Sequence, residues 1–405
     1  MAAVEPLALD VDDPRALLAA IATLPGAAAL NAALHTIDAP VHLVGGAVRD
    51  LLIGVPPREL DVVVEGDPAP LLSVLGAAQR SDHERFATAT VQLQDGATID
   101  VARARAERYP QPGALPEVDP APLAIDLHRR DTTLNAIAID LRTGAVQAPA
   151  TALIDLQSRV LRVLHPASFV DDPTRLWRLV RHEVRFGADW DPVTWHLAQA
   201  AIRAGALDTV SHQRLASELR LALREPDPIG ALAAAARLGL PPRVELDALR
   251  LHQAEQLAPP ECPTSDLVLA AVASDDPLLA TYLERGPERT LLDAARALRG
   301  SETAAARRPG PLDADATGSQ IATRFEGLPF AAVAAAPDVD AARRWLTELR
   351  HRRLALTGAA LIAAGVAQGE AVGAGLAAAR TALLDGVVDA ADADGQLRIA
   401  LDAAC

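Results

Sequence analysis

The stretch from Val41 to Glu65, VHLVGGAVRDLLIGVPPRELDVVVE, constrains this chain more than any other. Val41 to Val44 is a short, mostly apolar run that stops at Gly45-Gly46, where a backbone without Cβ can approach a ligand closely and expose its N–H groups. A helical segment, Ala47 to Ile53, follows at once. Those N–H donors and the positive end of the helix dipole therefore point at one place, and an anion is expected there. After Gly54 and the Pro56-Pro57 break, Glu59-Leu60-Asp61 leads into Val62-Val63-Val64. Strand side chains alternate, so Glu59 and Asp61 project on one face, about 6–7 Å apart. Two carboxylates beside an anion site read as a hard-cation site, with Mg²⁺ and a phosphate chain as the simplest occupants. A Gly-Gly turn alone is more often a chain reversal, and an E-x-D at a strand edge is more often solvated. The order and tight spacing of the two, with Arg49-Asp50 between them, favour the functional reading.

The rest of the chain places further polar groups where they can reach this stretch. Thr88 to Leu93 belongs to an alternating run, FATATVQL, and Asp95-Gly96 signals a hairpin before Thr98-Ile99-Asp100-Val101. Asp100 then lies in the same small sheet, a third carboxylate near Glu59 and Asp61. Arg103, Arg105, Glu107, Arg108 and Tyr109 follow, and Pro110 to Pro122 reads as a Pro-rich connection, too broken for a helix or central strand and long enough to move over a site. Asp126 to Asn135, DLHRRDTTLN, sets polar groups directly before an alternating strand, Ala136 to Leu141, closed by a hairpin at Thr143-Gly144. Arg and Asp in this cluster match a triphosphate and a ribose.

From Leu156 the character changes. Asp171-Asp172-Pro173 reads as the start of a helix that carries Arg175, Arg178, Arg181 and Arg185, four cations within about 120° of one another around the helix. Capping and local ion pairs account for Arg175; acid partners for Arg178 and Arg181 within one turn are scarce. Beyond Asp191 come Ala/Leu-rich helices (Trp195 to Ala204, Gln213 to Leu223, Ile229 to Leu238, Val244 to Gln256), with Ser211 placed to start the second. Gly300 to Thr317 is the best linker candidate, and Ala341 to Ala404 is helical with a glycine-spaced segment.

Composition sets the limits. At 405 residues the chain is expected to hold about two to four domains. Half of it is apolar but only 3% aromatic, which favours closely packed helices over extensive sheet. Every basic side chain other than histidine is arginine, and the formal net charge of −15 excludes indiscriminate attraction to nucleic acid. Any such contact needs a local arginine surface. Cys262 and Cys405 form no metal-binding spacing and no disulfide framework. No apolar run reaches 18 residues and the start, MAAVEPLALDVDD, is acidic, so a cytoplasmic protein without a membrane span is expected.

With these residues in view, the chain resembles the class II tRNA nucleotidyltransferases (CCA-adding enzymes) and bacterial poly(A) polymerases, within the polymerase-β-like nucleotidyltransferases. The resemblance rests on GGAVRD at Gly45 to Asp50, ELD at Glu59 to Asp61, the RxExY-like Arg105 to Tyr109, RRDTTLN at Arg129 to Asn135, DDPTRLWRLVR at Asp171 to Arg181 and SHQRLASEL at Ser211 to Leu219. It covers residues 30 to 225, and reaches the tail more weakly through LTGAALIAAGVAQGEAVG, where Ala360 stands for the family's acid.

The resemblance implies an α+β fold, a small mixed-sheet nucleotidyltransferase head followed by an all-α neck, body and tail. The expected divisions are a head over 25–148, a neck over 149–225, a body over 226–305 and a tail over 318–405. It further implies that Gly45 and Gly46, assisted by Arg49, cradle an incoming triphosphate, and that Glu59, Asp61 and Asp100 are the catalytic carboxylates that hold two Mg²⁺ ions. Arg130 and Asp131 would handle ribose and phosphate with Asn135 in support. Asp172 and Arg175 would read the Watson–Crick edge of the base as a pair, ordered by Asp171, while Arg178 and Arg181 meet phosphates. CTP and ATP are the implied substrates, and the 3′ end and acceptor/elbow region of tRNA the implied partner. Three departures stand out: Glu59 for the usual Asp, Thr132 for a Phe that would wall the site, and Trp177 for a smaller residue. The expected activity is template-independent addition of CMP and/or AMP to tRNA. The alternatives are a poly(A) polymerase and a catalytically weakened RNA-binding homologue.

Overall fold

The computed structural model describes residues 7–83, 87–241, 247–272, 283, 287–300 and 312–404. Phe86, Val244, Cys405 and most of the linker candidate lie outside the described residues. The chain divides into two compact units, Met1–Leu240 and Pro241–Cys405.

The first unit is built on a seven-stranded mixed sheet. Its strands are β1 (Val41–Val44), β2 (Leu60–Val64), β3 (Ala77–His83), β4 (Thr88–Leu93), β5 (Thr98–Arg103), β8 (Ala138–Asp140) and β9 (Val146–Gln147), in the order β3-β4-β5-β2-β1-β8-β9. A ribbon of β6 (Arg105–Arg108) and β7 (Glu117–Pro120) stands apart from it. β1 and all of β2 but Asp61 are buried, as expected for central strands covered on both faces. β4 alternates, burying Ala89, Val91 and Leu93. β2 and β5 are parallel neighbours while the remaining pairs are antiparallel. That one parallel pairing puts Asp61 directly beside Asp100. A core of Val44, Val63, Ala104, Leu123, Leu127, Ala136 and Ala138 lies under the site.

The helices of this unit are α1 (Pro14–Ala22), α2 (Ala27–Ala33), α3 (Gly45–Leu52), α4 (Ala69–Val74), α5 (Leu123–His128), α6 (Ala152–Gln157), α7 (Ser168–Asp171), α8 (Arg175–Phe186), α9 (Pro192–Arg203), α10 (His212–Leu223) and α11 (Pro228–Leu238). Asp191, Ser211 and Asp227 cap the last three by accepting backbone N–H groups of the first turn. The start of α8 differs from the expected acid cap. Thr174 occupies the N-cap without a side-chain cap, and Asp172 accepts from the Thr174 N–H and hydroxyl just before the helix. The Pro-rich connection also departs from expectation, since its second half pairs with β6 as strand β7. Pro120 sits at the end of that strand, on a ribbon edge where a missing N–H costs nothing.

The second unit is helical among its described residues: α12 (Ala248–Leu257), α13 (Thr264–Ala271), α14 (Pro287–Leu298), α15 (Gly318–Phe325), α16 (Phe330–Ala334), α17 (Val339–Thr347), α18 (Gly358–Ala363), α19 (Glu370–Leu384) and α20 (Ala393–Ala404). Thr317 and Gln320 close a reciprocal capping box at α15. Gly375 lets α19 approach α20, because a Cβ there would come within 2.7 Å of the Ala400 carbonyl. The buried Gln396 amide accepts from the Ala355 and Leu356 N–H groups and donates to the Asp389 and Ala390 carbonyls, which satisfies it completely. Among the described residues no single helix is long and apolar enough to cross a membrane.

Candidate active site

Three carboxylates come together first. Glu59 immediately precedes β2, Asp61 is its second residue, and Asp100 sits beside Asp61 on β5. One oxygen from each lies within 4.8 Å of the others. Burial and then the negative charge of Glu59 push the Asp61 carboxyl from 3.8 to about 6, against the pull of Arg130. Burial and Asp100 raise Glu59 as well. Asp100 Oδ1 is buried and accepts no hydrogen bond. A cluster of hard oxygen donors that repel one another, one of them orphaned, fits a divalent cation.

The glycine turn faces this cluster. Gly45 has φ +64° and a Cβ there would come 2.8 Å from Arg130 Nη1, so glycine is what lets the guanidinium approach. α3 begins at Gly45 itself. Its first donors are partly engaged, Gly45 N–H to the Ile137 carbonyl at 3.3 Å and Ala47 N–H to Asp61.

These groups line a cavity of about 760 Å³ that Arg105, Arg129, Arg130, Arg175, Arg178 and Arg214 also line. Of the residues expected at the site, Gly45, Gly46, Glu59, Asp61, Asp100, Arg130, Asp131, Asn135, Asp172, Arg175 and Arg178 line it. Asp126 fixes the Arg130 guanidinium at 3.0 Å. Asp131 accepts from Asn135 Nδ2 at 2.9 Å and lies 3.4 Å from Arg178. Burial pushes the Asp131 carboxyl up, but Arg178 and the other neighbouring donors, Asn135 and Arg175 among them, together outweigh it and hold the group well below the usual range. Buried against these cations, His182 is pushed down to about 3 and stays neutral.

Two expected phosphate ligands do not line the cavity. Arg49 stays beside the glycine turn, its Nη2 3.5 Å from where a Gly46 Cβ would be, and its guanidinium donates to Asp50 at 2.7 Å and to Asn135 Oδ1 at 2.5 Å and lies 4.3 Å from the centre of the Phe186 ring. Arg181 is farther removed, donating to Glu218 at 2.7 Å and Glu225 at 2.9 Å in the interior. The second half of the α8 row, Arg181 and Arg185, is thus neutralised by Glu218 of α10 and by Glu225 just after it. Thr132 and Trp177 are fully buried and do not line the cavity.

The expected Asp172–Arg175 pair is not a direct ion pair. Arg175 donates to Ser168 Oγ at 2.8 Å and to the Arg129 carbonyl at 2.7 Å, with Tyr109 Oη at 3.5 Å. Asp172 accepts instead from Arg214 Nη2 at 2.8 Å. Asp171 bonds neither residue directly; it lies 3.9 Å from His165 Nδ1, and His165 Nε2 is 3.4 Å from Arg175 Nη1. Arg214, Arg129 and Glu107 line the cavity without having been singled out for a role. Glu107 accepts from Arg129, Arg105 and Tyr109. The signal was present, since all of them fall in RxExY, RRD and SHQR segments rich in polar residues beside apolar helices.

Comparison with known proteins agrees with this geometry. Residues 41–162 match the Poly A polymerase head domain family. The CC-adding tRNA nucleotidyltransferase of Deinococcus radiodurans is 35% identical over 366 residues, covering 88% of this chain and 87% of that protein. The A-adding tRNA nucleotidyltransferase of Geobacter sulfurreducens is 41% identical over 211 residues, 50% of this chain and 24% of that one. The matched region spans less than half the length of this and other A-adding relatives. A CCA-adding enzyme in its apo form II superposes with a TM-score of 0.73 at 26% identity, covering 96% of both chains. A sheet that pairs Asp61 with Asp100, a cavity lined by these acids and by arginines, and a relative of this identity over 87% of its length lead to one conclusion: the chain belongs to the class II CCA-adding tRNA nucleotidyltransferase family.

Proposed function

We propose that this protein adds CMP and/or AMP, from CTP and ATP, to the 3′ end of tRNA, making or repairing all or part of the CCA end. The observation that carries the reading is one cavity lined both by the carboxylate triad and by Asp172 and Arg175. An incoming nucleotide would have its phosphates near the triad and its base near Asp172 and Arg175. Glu59, Asp61 and Asp100 would hold Mg²⁺, which when bound neutralises phosphate charge and lowers the pKa of the attacking hydroxyl. Gly45 and Gly46 keep the floor free of side chains so that the triphosphate reaches Arg130. Asp131 and Asn135 would meet the ribose, and Arg178 a phosphate. Asp172 offers an acceptor and Arg175 donors to a base edge, and the amino groups of cytosine and adenine suit the acceptor. No nucleic-acid template is then required. The head and neck carry the chemistry, and the body and tail (226–305 and 318–405) would grip tRNA by shape and backbone contacts.

The test is incubation of purified protein and Mg²⁺ with tRNA transcripts ending before CCA or after CC, and with an unrelated RNA, supplying CTP or ATP separately. Extension of a tRNA substrate by a defined one to three nucleotides is expected. Long A tracts on unrelated RNA would indicate a poly(A) polymerase, and no incorporation with Mg²⁺ or Mn²⁺ would sink the enzyme reading. Asp172→Ala is expected to lose nucleotide discrimination, and its retention would remove the base-reading role.

A further inference from the structure

We propose that Arg214 is the positioning residue that sets how Asp172 meets the incoming base, and so a determinant of nucleotide specificity. The inference rests on the base-reading role just proposed for Asp172. Every hydrogen bond that the structure gives the Asp172 carboxylate falls on Oδ1: Arg214 Nη2 at 2.8 Å, Thr174 Oγ1 at 2.7 Å and Thr174 N at 3.2 Å. Oδ2 is left for a ligand. A carboxylate with one oxygen saturated presents a single acceptor in a fixed direction, which suits the amino group of cytosine or adenine and opposes the carbonyl that uracil or guanine carries in its place.

Arg214 is itself held in place. Its Nη1 donates to the Gly113 carbonyl at 2.7 Å, and the Gly113 N–H donates to the Val170 carbonyl at 3.2 Å. Gly113 has φ +70° and packs so closely on Thr209 that a Cβ would overlap its hydroxyl. The guanidinium therefore has two anchors on fixed backbone or side-chain acceptors, a geometry that suits its planar fork and that a lysine ammonium does not reproduce. Arg175, by contrast, is held by Ser168, the Arg129 carbonyl and Tyr109. Acceptor and donor of the proposed base reader thus rest on separate supports, and Arg214 governs only the acceptor.

The experiment measures kcat and KM for all four nucleoside triphosphates on the preferred tRNA transcript, with wild type, Arg214→Ala and Arg214→Lys, alongside melting temperatures. Removing a charge-assisted hydrogen bond to Asp172 is expected to lower the discrimination of CTP and ATP over UTP and GTP by about ten- to a hundredfold in Arg214→Ala. Arg214→Lys, which can reach one anchor at a time, is expected to fall between. An equal fall in kcat/KM for all four nucleotides, with discrimination intact, would show a structural role only and overturn the proposal. Should Arg214→Ala not fold, the lysine variant decides: unchanged discrimination overturns the proposal, reduced discrimination supports it. A wild type that does not favour C and A over U and G would instead overturn the functional reading beneath it.

Discussion

Asp61 is held in an environment that its charge destabilises. Burial, then the charge of Glu59, raise its carboxyl from 3.8 to about 6, so between these values the folded protein keeps a proton that the unfolded chain has released. The sign follows from that difference. The metal-free protein has the full stability of this group below about pH 4 and loses it as pH rises through 6, a penalty of about 2–3 kcal/mol at pH 7.5. Asp61→Asn removes the charge and is expected to abolish turnover while raising the melting temperature at pH 7.5 without divalent cations. The gain should vanish near pH 4. Mg²⁺ should raise the melting temperature of wild type more than that of the variant. A variant that melts lower than wild type at pH 7.5 would show that packing or lost hydrogen bonds, rather than buried charge, dominate at this position. Glu59 shares the effect, which is the physical content of its substitution for Asp: the longer side chain still reaches the cluster.

At the scale of elements, α8 shows what a sequence carries and what it hides. Strands β1, β2, β4, β5 and β8 were legible because their apolar pattern follows from burial in a sheet. The helix ends were legible where Asp, Ser or Pro marks a first turn. β3, AAQRSDH, was not, because it is an edge strand without apolar alternation and takes its conformation from pairing with β4. The Arg row of α8 was legible as a row but not as to its partners, since Glu218 and Glu225 lie 37 and 44 residues from Arg181. The motif residues that line the cavity could be named in advance, whereas the partners of Arg181 could not be read without knowing which acids pack behind it. The hidden network has a measurable weight. Glu225 is 6% exposed and accepts from Arg181 at 2.9 Å and Arg185 at 2.5 Å. Burial raises its carboxyl, but the two guanidinium groups outweigh it and bring it below 4.5. Its contribution is therefore complete above that value and is lost as pH falls. Glu225→Gln leaves Arg181 buried with reduced compensation and is expected to cost about 2–4 kcal/mol at pH 7 by denaturant unfolding, with the nucleotide KM unchanged. A raised KM at unaltered stability would return Arg181 to the phosphate site.

On the scale of the molecule, the division into Met1–Leu240 and Pro241–Cys405 separates two demands. Every residue that lines the cavity, from Val44 to Arg214, belongs to the first unit, which also contains the core beneath it and the acids that neutralise α8. The second unit has its own core, around Leu356, Leu361, Ala379 and Ala400. With a chain charge of −15, long-range attraction cannot bring RNA to the cavity, so its grip depends on local arginines and on surface complementarity. Residues Met1–Leu240 produced alone are therefore expected to fold cooperatively and to bind CTP or ATP with a Kd close to that of the whole protein. Their KM for tRNA should rise by about tenfold or more, because phosphate contacts beyond the 3′ end are lost. Circular dichroism melts, nucleotide titration and primer-extension kinetics read the three quantities separately. A fragment that folds but fails to bind nucleotide would place part of nucleotide recognition in the second unit. One that keeps the full tRNA affinity would confine RNA recognition to the head and neck and leave the body and tail without the role proposed for them.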